Sequence, residues 1–478
     1  MNLYFKRAPL GALAAALLLA GCASYKGIDS QSTLTSAQSV GLVNTAAAKF
    51  ETSADWWKQF GDEQLDQLIA QALAGNPNLK IARARLTRAQ AVTEVANAAT
   101  LPQVNGSFDV TRQKYSANGL LPPPIAGSTR DSGTLQLNVN WELDFFGKHQ
   151  AALDAALSTV QAAQADTEAA RILLAASVAR SYFQLARIND QLAVARRTLQ
   201  QRTESNKLVQ DRVNAGLDTN LELRQSEGSL PEARQQIEAL QEQAVIAQNA
   251  IAALTAQGNR QSVAIQPTLA KFKAAATPRE LPADLLAQRA DITAARWRVE
   301  AASYDVKNAK AQFYPNINIV AFAGLNSIGL GRLLNTGSEQ FGVGPAVRLP
   351  IFDAGRLRAN LRGKTADLDT AIESYNAAVL DAIHEAADQV ASSQSIVRQQ
   401  VEQRDAQASA EGAYEIAVQR YKAGLGTYLN VLTAESSVLA QRRLGVDLAA
   451  RALDTQVQLI RAVGGGYRPD AAAAVAAP

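Results

Sequence analysis

Residues 212–219 read Arg212-Val213-Asn214-Ala215-Gly216-Leu217-Asp218-Thr219, and residues 420–427 read Arg420-Tyr421-Lys422-Ala423-Gly424-Leu425-Gly426-Thr427. Each stretch reads as one helix ending and another beginning. Gly216 and Gly424 stand where a helix C-terminus turns left-handed, a conformation that glycine adopts without steric penalty. Thr219 and Thr427 suit the N-cap of a returning helix. Upstream of each turn lies a proline-free run, from about 147 to 214 and from about 356 to 422. At 1.5 Å per residue, about 65 residues make a rod of roughly 100 Å. No globular core needs such a rod, so each is a spanning element or half of a coiled coil. Pro231 falls inside the first returning helix and has no counterpart in the second. It either kinks that helix or leaves Ser229 to cap a new one.

Further matches flank the turns in the same order. Leu101-Pro102-Gln103-Val104-Asn105 echoes Tyr314-Pro315-Asn316-Ile317-Asn318. Leu143-Asp144-Phe145-Phe146-Gly147-Lys148 echoes Leu349-Pro350-Ile351-Phe352 and, after a short insertion, Gly355-Arg356. A unit this long is no solenoid repeat, so a whole domain is duplicated in tandem. Residues 77–100 and 283–313 are Ala-rich and free of glycine, which predicts helices that Pro102 and Pro315 stop.

Two strands follow in each half. Leu135, Leu137, Val139, Trp141 and Leu143 alternate with Gln136, Asn138, Asn140 and Glu142, and Val104, Gly106, Phe108 and Val110 alternate likewise. The second half repeats the pattern through Ile317, Ile319, Ala321 and Ala323, then Phe341, Val343, Pro345, Val347, Leu349 and Ile351. Each run is about ten residues, enough for a tilted strand to cross a bilayer. A half-buried soluble sheet would alternate in the same way; the N-terminus tips the reading toward the membrane. Open sheet edges do not survive in lipid, and the smallest barrels have about eight strands. If these strands cross a membrane, several chains must share one barrel.

At the N-terminus Lys6 and Arg7 precede a short apolar run from Ala8 to Ala20, the layout of a secretory signal. Leu19-Ala20-Gly21-Cys22 resembles a bacterial lipobox, and Cys22 is the only cysteine in the chain. Cys22 is therefore expected to carry a diacylglycerol and an N-acyl chain, an ordinary signal with an incidental cysteine being the alternative. Acyl chains contribute about 0.8 kcal/mol per buried methylene, so several chains anchor firmly. Ala23, in place of Asp, resembles lipoproteins sorted to the outer membrane.

The expected order is signal peptide 1–21; lipid-anchored tether 22–50; repeat 1 over 51–257, with strands near 103–114 and 134–145 and a long helix near 147–214; linker 258–280; repeat 2 over 281–463, with strands near 315–326 and 340–351 and a long helix near 356–422; and a disordered tail 464–478. The fold class is mainly α with a membrane β-barrel, built from a duplicated helix, β-hairpin, long helix, helix unit. A net charge of +3 over 478 residues argues against a nucleic-acid binder. One Cys and two His leave no disulfide and almost no room for a multi-histidine metal site. No phosphate-binding loop, dinucleotide fingerprint or HExxH appears. His149 and His384 read as surface or interface residues, Asp381 and Glu385 as a solvated helix face, and an enzyme is not expected.

These residues carry a family resemblance over essentially the whole mature chain. Its markers are Trp56-Trp57 with Phe60, Leu65-Asp66-Gln67-Leu68-Ile69, Asn76-Pro77-Asn78-Leu79, Leu281-Pro282-Ala283-Asp284-Leu285-Leu286 with Arg289-Ala290-Asp291-Ile292, Tyr314-Pro315-Asn316-Ile317, and Leu349-Pro350-Ile351-Phe352-Asp353-Ala354-Gly355-Arg356. The chain resembles the TolC-like outer membrane factors, in the lipoprotein branch serving tripartite efflux systems. The resemblance implies a homotrimer with a twelve-stranded barrel in the outer membrane and a twelve-helix tunnel in the periplasm. It implies a passive conduit for exported small molecules, opened at its helix tips by a periplasmic adaptor and an inner-membrane pump. A proton-driven pump is favoured over an ATP-driven one, and no cofactor beyond the lipid on Cys22 is implied.

By the same resemblance Tyr421 and Glu222 are expected in interchain links that hold the aperture closed. Glu222 also reads as the third residue of a Thr219-x-x-Glu222 capping box. The basic residue that partners these groups in the best-known relative falls here on Gly426, and the acidic constriction of family members falls on Asn430 or Thr433. Leu429 and Asn430 could narrow the aperture sterically, or Glu435 could supply charge one turn away. Gly216, Leu217, Gly424 and Leu425 are the implied adaptor contacts, beside their local capping role. The rival to a channel is a lipid-tethered periplasmic coiled-coil scaffold, which leaves the duplicated amphipathic strands unexplained.

Overall fold

The computed structural model describes residues 24–35, 53–258, 265–272 and 289–468. The signal segment, Cys22, most of the tether and linker, the Leu281–Leu286 marker and residues 469–478 lie outside the described residues.

The first half runs α1 (Glu63–Gly75), α2 (Pro77–Ala98), β1 (Gln103–Lys114), β2 (Thr129–Leu143), α3 (Lys148–Asn214) and α4 (Asn220–Leu254). The second runs α5 (Ala290–Ala311), β3 (Asn316–Ile328), β4 (Glu339–Arg348), α6 (Arg356–Lys422) and α7 (Tyr428–Ala462). α2 and α5 each have 22 residues, α3 and α6 each 67, and α4 and α7 each 35. Equal lengths in these three helix pairs are what duplication of a whole unit leaves behind.

The strand ends differ from the alternation alone. β2 begins at Thr129, not 134, because Thr129 to Thr134 complete the ladder with Lys114 to Asp109. β3 runs from Asn316 to Ile328, and β4 stops at Arg348, short of 351. Pro350 has no N–H for a ladder and disfavours regular pairing at its neighbour. α4 passes through Pro231 without a break. Ser229 opens no new helix; its hydroxyl donates to the Ser226 carbonyl at 2.7 Å.

The chain divides into two compact units. In one, the strands form a single antiparallel sheet in the order β1-β2-β3-β4. The register places Val104, Val139, Ala321 and Val343 in one row, and Gly106, Leu137, Ala323 and Phe341 in another. Trp141, Ile319 and Pro345 share the same face. The opposite face carries the Ser107, Gln136, Gly324, Gln340 row and the Glu142, Asn318, Ala346 row. One face is thus apolar across all the strands, and its large side chains are exposed: Phe341 by 85% and Val343 by 79%. β1 and β4 remain edges.

Residues 24–34 pack against this unit instead of hanging as a free tether. Ile28 is buried with Val306, Phe313, Leu357 and Leu361. The Asp369 carboxylate accepts from the Ser30 hydroxyl at 2.6 Å and from the backbone N–H groups of Gln31 and Ser32. A capped carboxylate and a buried isoleucine hold a stretch whose Ser-rich composition reads as a tether.

The other unit holds the main core. Trp56, Trp57, Phe60, Leu65 and Ile69 pack on Val178, Tyr182, Phe183 and Leu185 of α3 and on Leu453, Val457 and Ile460 of α7. The rings of Phe60 and Phe183 meet edge to face at 4.9 Å. Ile265 and Leu269 of the linker are buried in the same core. Tyr467 is buried beside Ile172 and Ala290, so the start of the expected disordered tail is packed. Glu385 is not simply solvated: the buried Arg289 guanidinium donates to it at 3.0 Å and to the Ala462 carbonyl at 2.9 Å.

No helix among the described residues is long and apolar enough to cross a membrane.

Candidate functional site

Both hairpin turns close in the same way. The Leu217 N–H donates to the Arg212 carbonyl at 2.9 Å and the Gly216 N–H to Val213 at 3.0 Å. Leu425 donates to Arg420 at 2.8 Å and Gly424 to Tyr421 at 3.1 Å. This paired bonding satisfies the last carbonyls of each helix and requires positive φ at the glycine, here 71° and 74°. Leu217 and Leu425 project from the turns, 65% and 68% exposed.

The returning helices start differently. Thr219 forms a full capping box: its hydroxyl oxygen accepts from the Leu221 N–H at 3.2 Å, and the Glu222 carboxylate accepts from the Thr219 N–H at 3.0 Å. Glu222 also binds the Thr219 hydroxyl, and that bond lowers its pKa. Thr427 holds the same extended backbone but makes no side-chain cap. Asn430 occupies the position of Glu222, so the reciprocal half of the box is missing.

Between the turns lies a three-residue link. The Arg212 guanidinium donates to both oxygens of Asp218, at 2.9 and 3.3 Å. The Tyr421 hydroxyl donates to the same carboxylate. The Arg212 guanidinium also lies 4.7 Å from the centre of the Tyr421 ring. Tyr421 is buried with Val209, Tyr428 and Val431. The hydrogen bond from Arg212 holds the Asp218 carboxyl below its ordinary range, and the Tyr421 hydroxyl adds to that effect. Burial, then the bond to Asp218, pushes the Tyr421 phenol up.

Tyr421 thus joins the second hairpin to the first within one chain. Glu222, the sequence candidate for a link, serves its own helix cap. Gly426 offers no base, and the cation beside Tyr421 in this chain is Arg212. Asp218 and Arg212 escaped the sequence reading, although a signal was there. Asp218 matches Gly426 in the other repeat, and a charge present in only one of two duplicated turns marks a divergence.

Further up the hairpins, Arg202 of α3 donates to both oxygens of Glu435 at 3.2 and 3.3 Å, to the Ser229 carbonyl at 2.9 Å and to Glu232 at 2.9 Å. Glu435 is 7% exposed, which corrects the expectation that it supplies charge to an aperture. Burial pushes its carboxyl up, against the pull of Arg202. Arg442 of α7 grips Glu411 of α6 through two bonds at 2.7 and 2.6 Å and reaches Gln201 of α3 at 3.0 Å. Paired guanidinium forks of this kind fix helix register as well as adding energy.

Leu429, Asn430 and Thr433 share the exposed face of α7, opposite Tyr428, Val431 and Glu435. The Thr433 hydroxyl is bonded to the Leu429 carbonyl at 2.9 Å. No cluster of His, Cys, Asp and Glu suited to a metal occurs among the described residues.

Comparison with known proteins matches this architecture. A family model described as outer membrane efflux protein matches residues 68–257 and 281–465. The chain is 34% identical over 467 residues to the putative multidrug resistance outer membrane protein MdtQ of Escherichia coli strain K12, covering 95% of this chain and 96% of that one. It is 37% identical over 372 residues to the fusaric acid resistance protein FusA of Burkholderia cepacia, covering 75% and 69%. The solved outer membrane protein VceC of Vibrio cholerae superposes with a TM-score of 0.83 at 37% identity, covering 87% of this chain and all of that one. With the duplicated helix lengths and the one-faced apolar sheet, these matches make the chain a member of the outer membrane efflux protein family, that of the TolC-like channels.

Proposed function

We propose that three copies of this chain close their sheets into a twelve-stranded barrel across the outer membrane. Their long helices form a twelve-helix tunnel in the periplasm, and acyl chains on Cys22 anchor each copy. The assembly is a passive conduit for small molecules. It opens at the helix tips when a periplasmic adaptor and a proton-driven inner-membrane pump engage Gly216, Leu217, Gly424 and Leu425. Glu222, Tyr421, Leu429, Asn430 and Thr433 surround the aperture. Relatives named for multidrug and fusaric acid resistance support small toxic organic molecules as cargo.

The observation that carries the reading is the apolar face running unbroken across all the strands, with unpaired edges at β1 and β4. Exposed leucine and phenylalanine rows have no place in water, and open edges have none in lipid. Closure with further copies answers both. The test is the mass of the detergent-purified protein together with conductance across planar bilayers. A trimer that conducts supports the reading. A non-conducting monomer would leave the tethered scaffold in its place.

A further inference from the structure

We propose that the cavity where the sheet meets its helices is a binding site for a planar aromatic carboxylate in transit. The inference rests on the conduit reading, in which the polar sheet face lines the pathway, and it narrows the cargo to a chemical class. The cavity holds about 520 Å³, within the usual range of small-ligand sites.

The acids around it are engaged by groups of the chain itself. Glu142, on the polar face opposite Asn318, is held by Lys148 at 2.5 Å and lies 2.9 Å from the His149 ring. His149 is therefore a mostly enclosed partner of a carboxylate. Asp144 accepts from the Gln150 N–H at 2.7 Å, and Asp353 accepts from the N–H groups of Gly355 and Leu357 at 3.0 and 2.8 Å. Each nearby acid is thus committed to an internal donor. Arg348 and Arg356 line the cavity and are exposed. Arg356 lies close enough to Asp353 to act on its charge, whereas Arg348 makes no ion pair among the described residues. Arg348 stands opposite Asn316, so it belongs to the polar face. Asn316 Oδ1 is buried there without a hydrogen-bond partner.

One wall is aromatic. The rings of Phe146 and Tyr314 stack 4.7 Å apart, 10° from parallel, and both stay about two-fifths exposed, at 43% and 41%. The Tyr25 hydroxyl lies 3.2 Å from that of Tyr314 and helps to fix the ring. A flat aromatic wall beside the unpaired Arg348 guanidinium matches a flat ring that carries a carboxylate, through stacking and a forked hydrogen bond.

The experiment uses the full-length assembly in detergent and three probes: naphthalene-2-carboxylate, cyclohexanecarboxylate and 2-naphthalenemethanol, measured by equilibrium dialysis. The aryl acid is expected to bind at least about tenfold more tightly than either of the others, since each of them lacks one of the two recognition elements. Arg348→Gln and Phe146→Leu should each weaken it by about tenfold, with thermal stability unchanged. Equal binding of the cyclohexane acid, or complete displacement by millimolar phosphate, would overturn the proposal in favour of a plain anion patch. Displacement by phosphatidylglycerol would overturn it in favour of a lipid site. A protein that conducts yet binds no aryl acid refutes this site alone, whereas one that binds it without conducting refutes the conduit.

Discussion

The Tyr421 hydroxyl donates to the Asp218 carboxylate, tying the turn of the second helix hairpin to that of the first across the duplicated halves of one chain. Arg212 completes the link from beneath, as hydrogen-bond donor to the acid and as cation over the ring. A hydrogen bond to a charged acceptor contributes about 2 kcal/mol, enough to bias two arrangements of the tips. Tyr421→Phe removes the bond and keeps the buried ring. It is expected to raise single-channel conductance and antibiotic sensitivity while leaving the amount of assembled protein unchanged. Unaltered conductance in both Tyr421→Phe and Asp218→Asn would mean that the link does not hold the aperture.

Acid and base should act on the tips in separate windows. The Asp218 pKa is depressed from 3.8, so its contribution is present above that value and is lost as pH falls through the lower folded value. The Tyr421 pKa is raised from 10.0, so its contribution is present below that value and is lost as pH rises through the higher one. Glu435 is raised from 4.5 by burial, so its contribution is full below 4.5 and fades as pH rises through the folded value. Exchange protection at the tips, taken relative to intrinsic amide rates, should therefore rise slightly on mild acidification and fall below 3.8. Glu435→Gln should abolish the first effect and Asp218→Asn the second.

The two N-caps make a controlled pair. Thr219→Ala should cost about 1 kcal/mol, the usual loss for an N-cap hydroxyl, because its side chain is engaged. Thr427→Ala should cost almost nothing, because its side chain caps nothing. Denaturant midpoints of the two variants decide this. Glu222→Gln keeps the reciprocal bond of the capping box and removes the charge, so it should behave as wild type. Increased conductance in Glu222→Gln would instead reveal an interchain role.

At the turns themselves, Leu217→Ser and Leu425→Ser should leave melting unchanged, since both side chains are mostly exposed. In cells, crosslinking to the adaptor should fall sharply. Gly216→Ala should cost about 1 kcal/mol through its left-handed φ, with no steric contact to add, because open space surrounds the position. Persistent adaptor crosslinking in the double leucine variant would remove the turns from the contact surface.

Sequence alone determined what is local or periodic. Glycine at a left-handed helix end, proline after a helix and apolar residues at every second strand position each have a steric or solvation cause that acts within a few residues. The duplication, the long hairpins and the one-faced strands were legible for that reason. Only the tertiary structure decided which polar groups meet. Asp218 lies near Arg212 in sequence but far from Tyr421, and the buried Glu435 meets Arg202 of another helix. Residues 24–34, polar enough to read as a tether, are held by Asp369 and by a pocket for Ile28. Composition speaks for a segment in water; it is silent about a carboxylate that the fold brings from the other end of the chain.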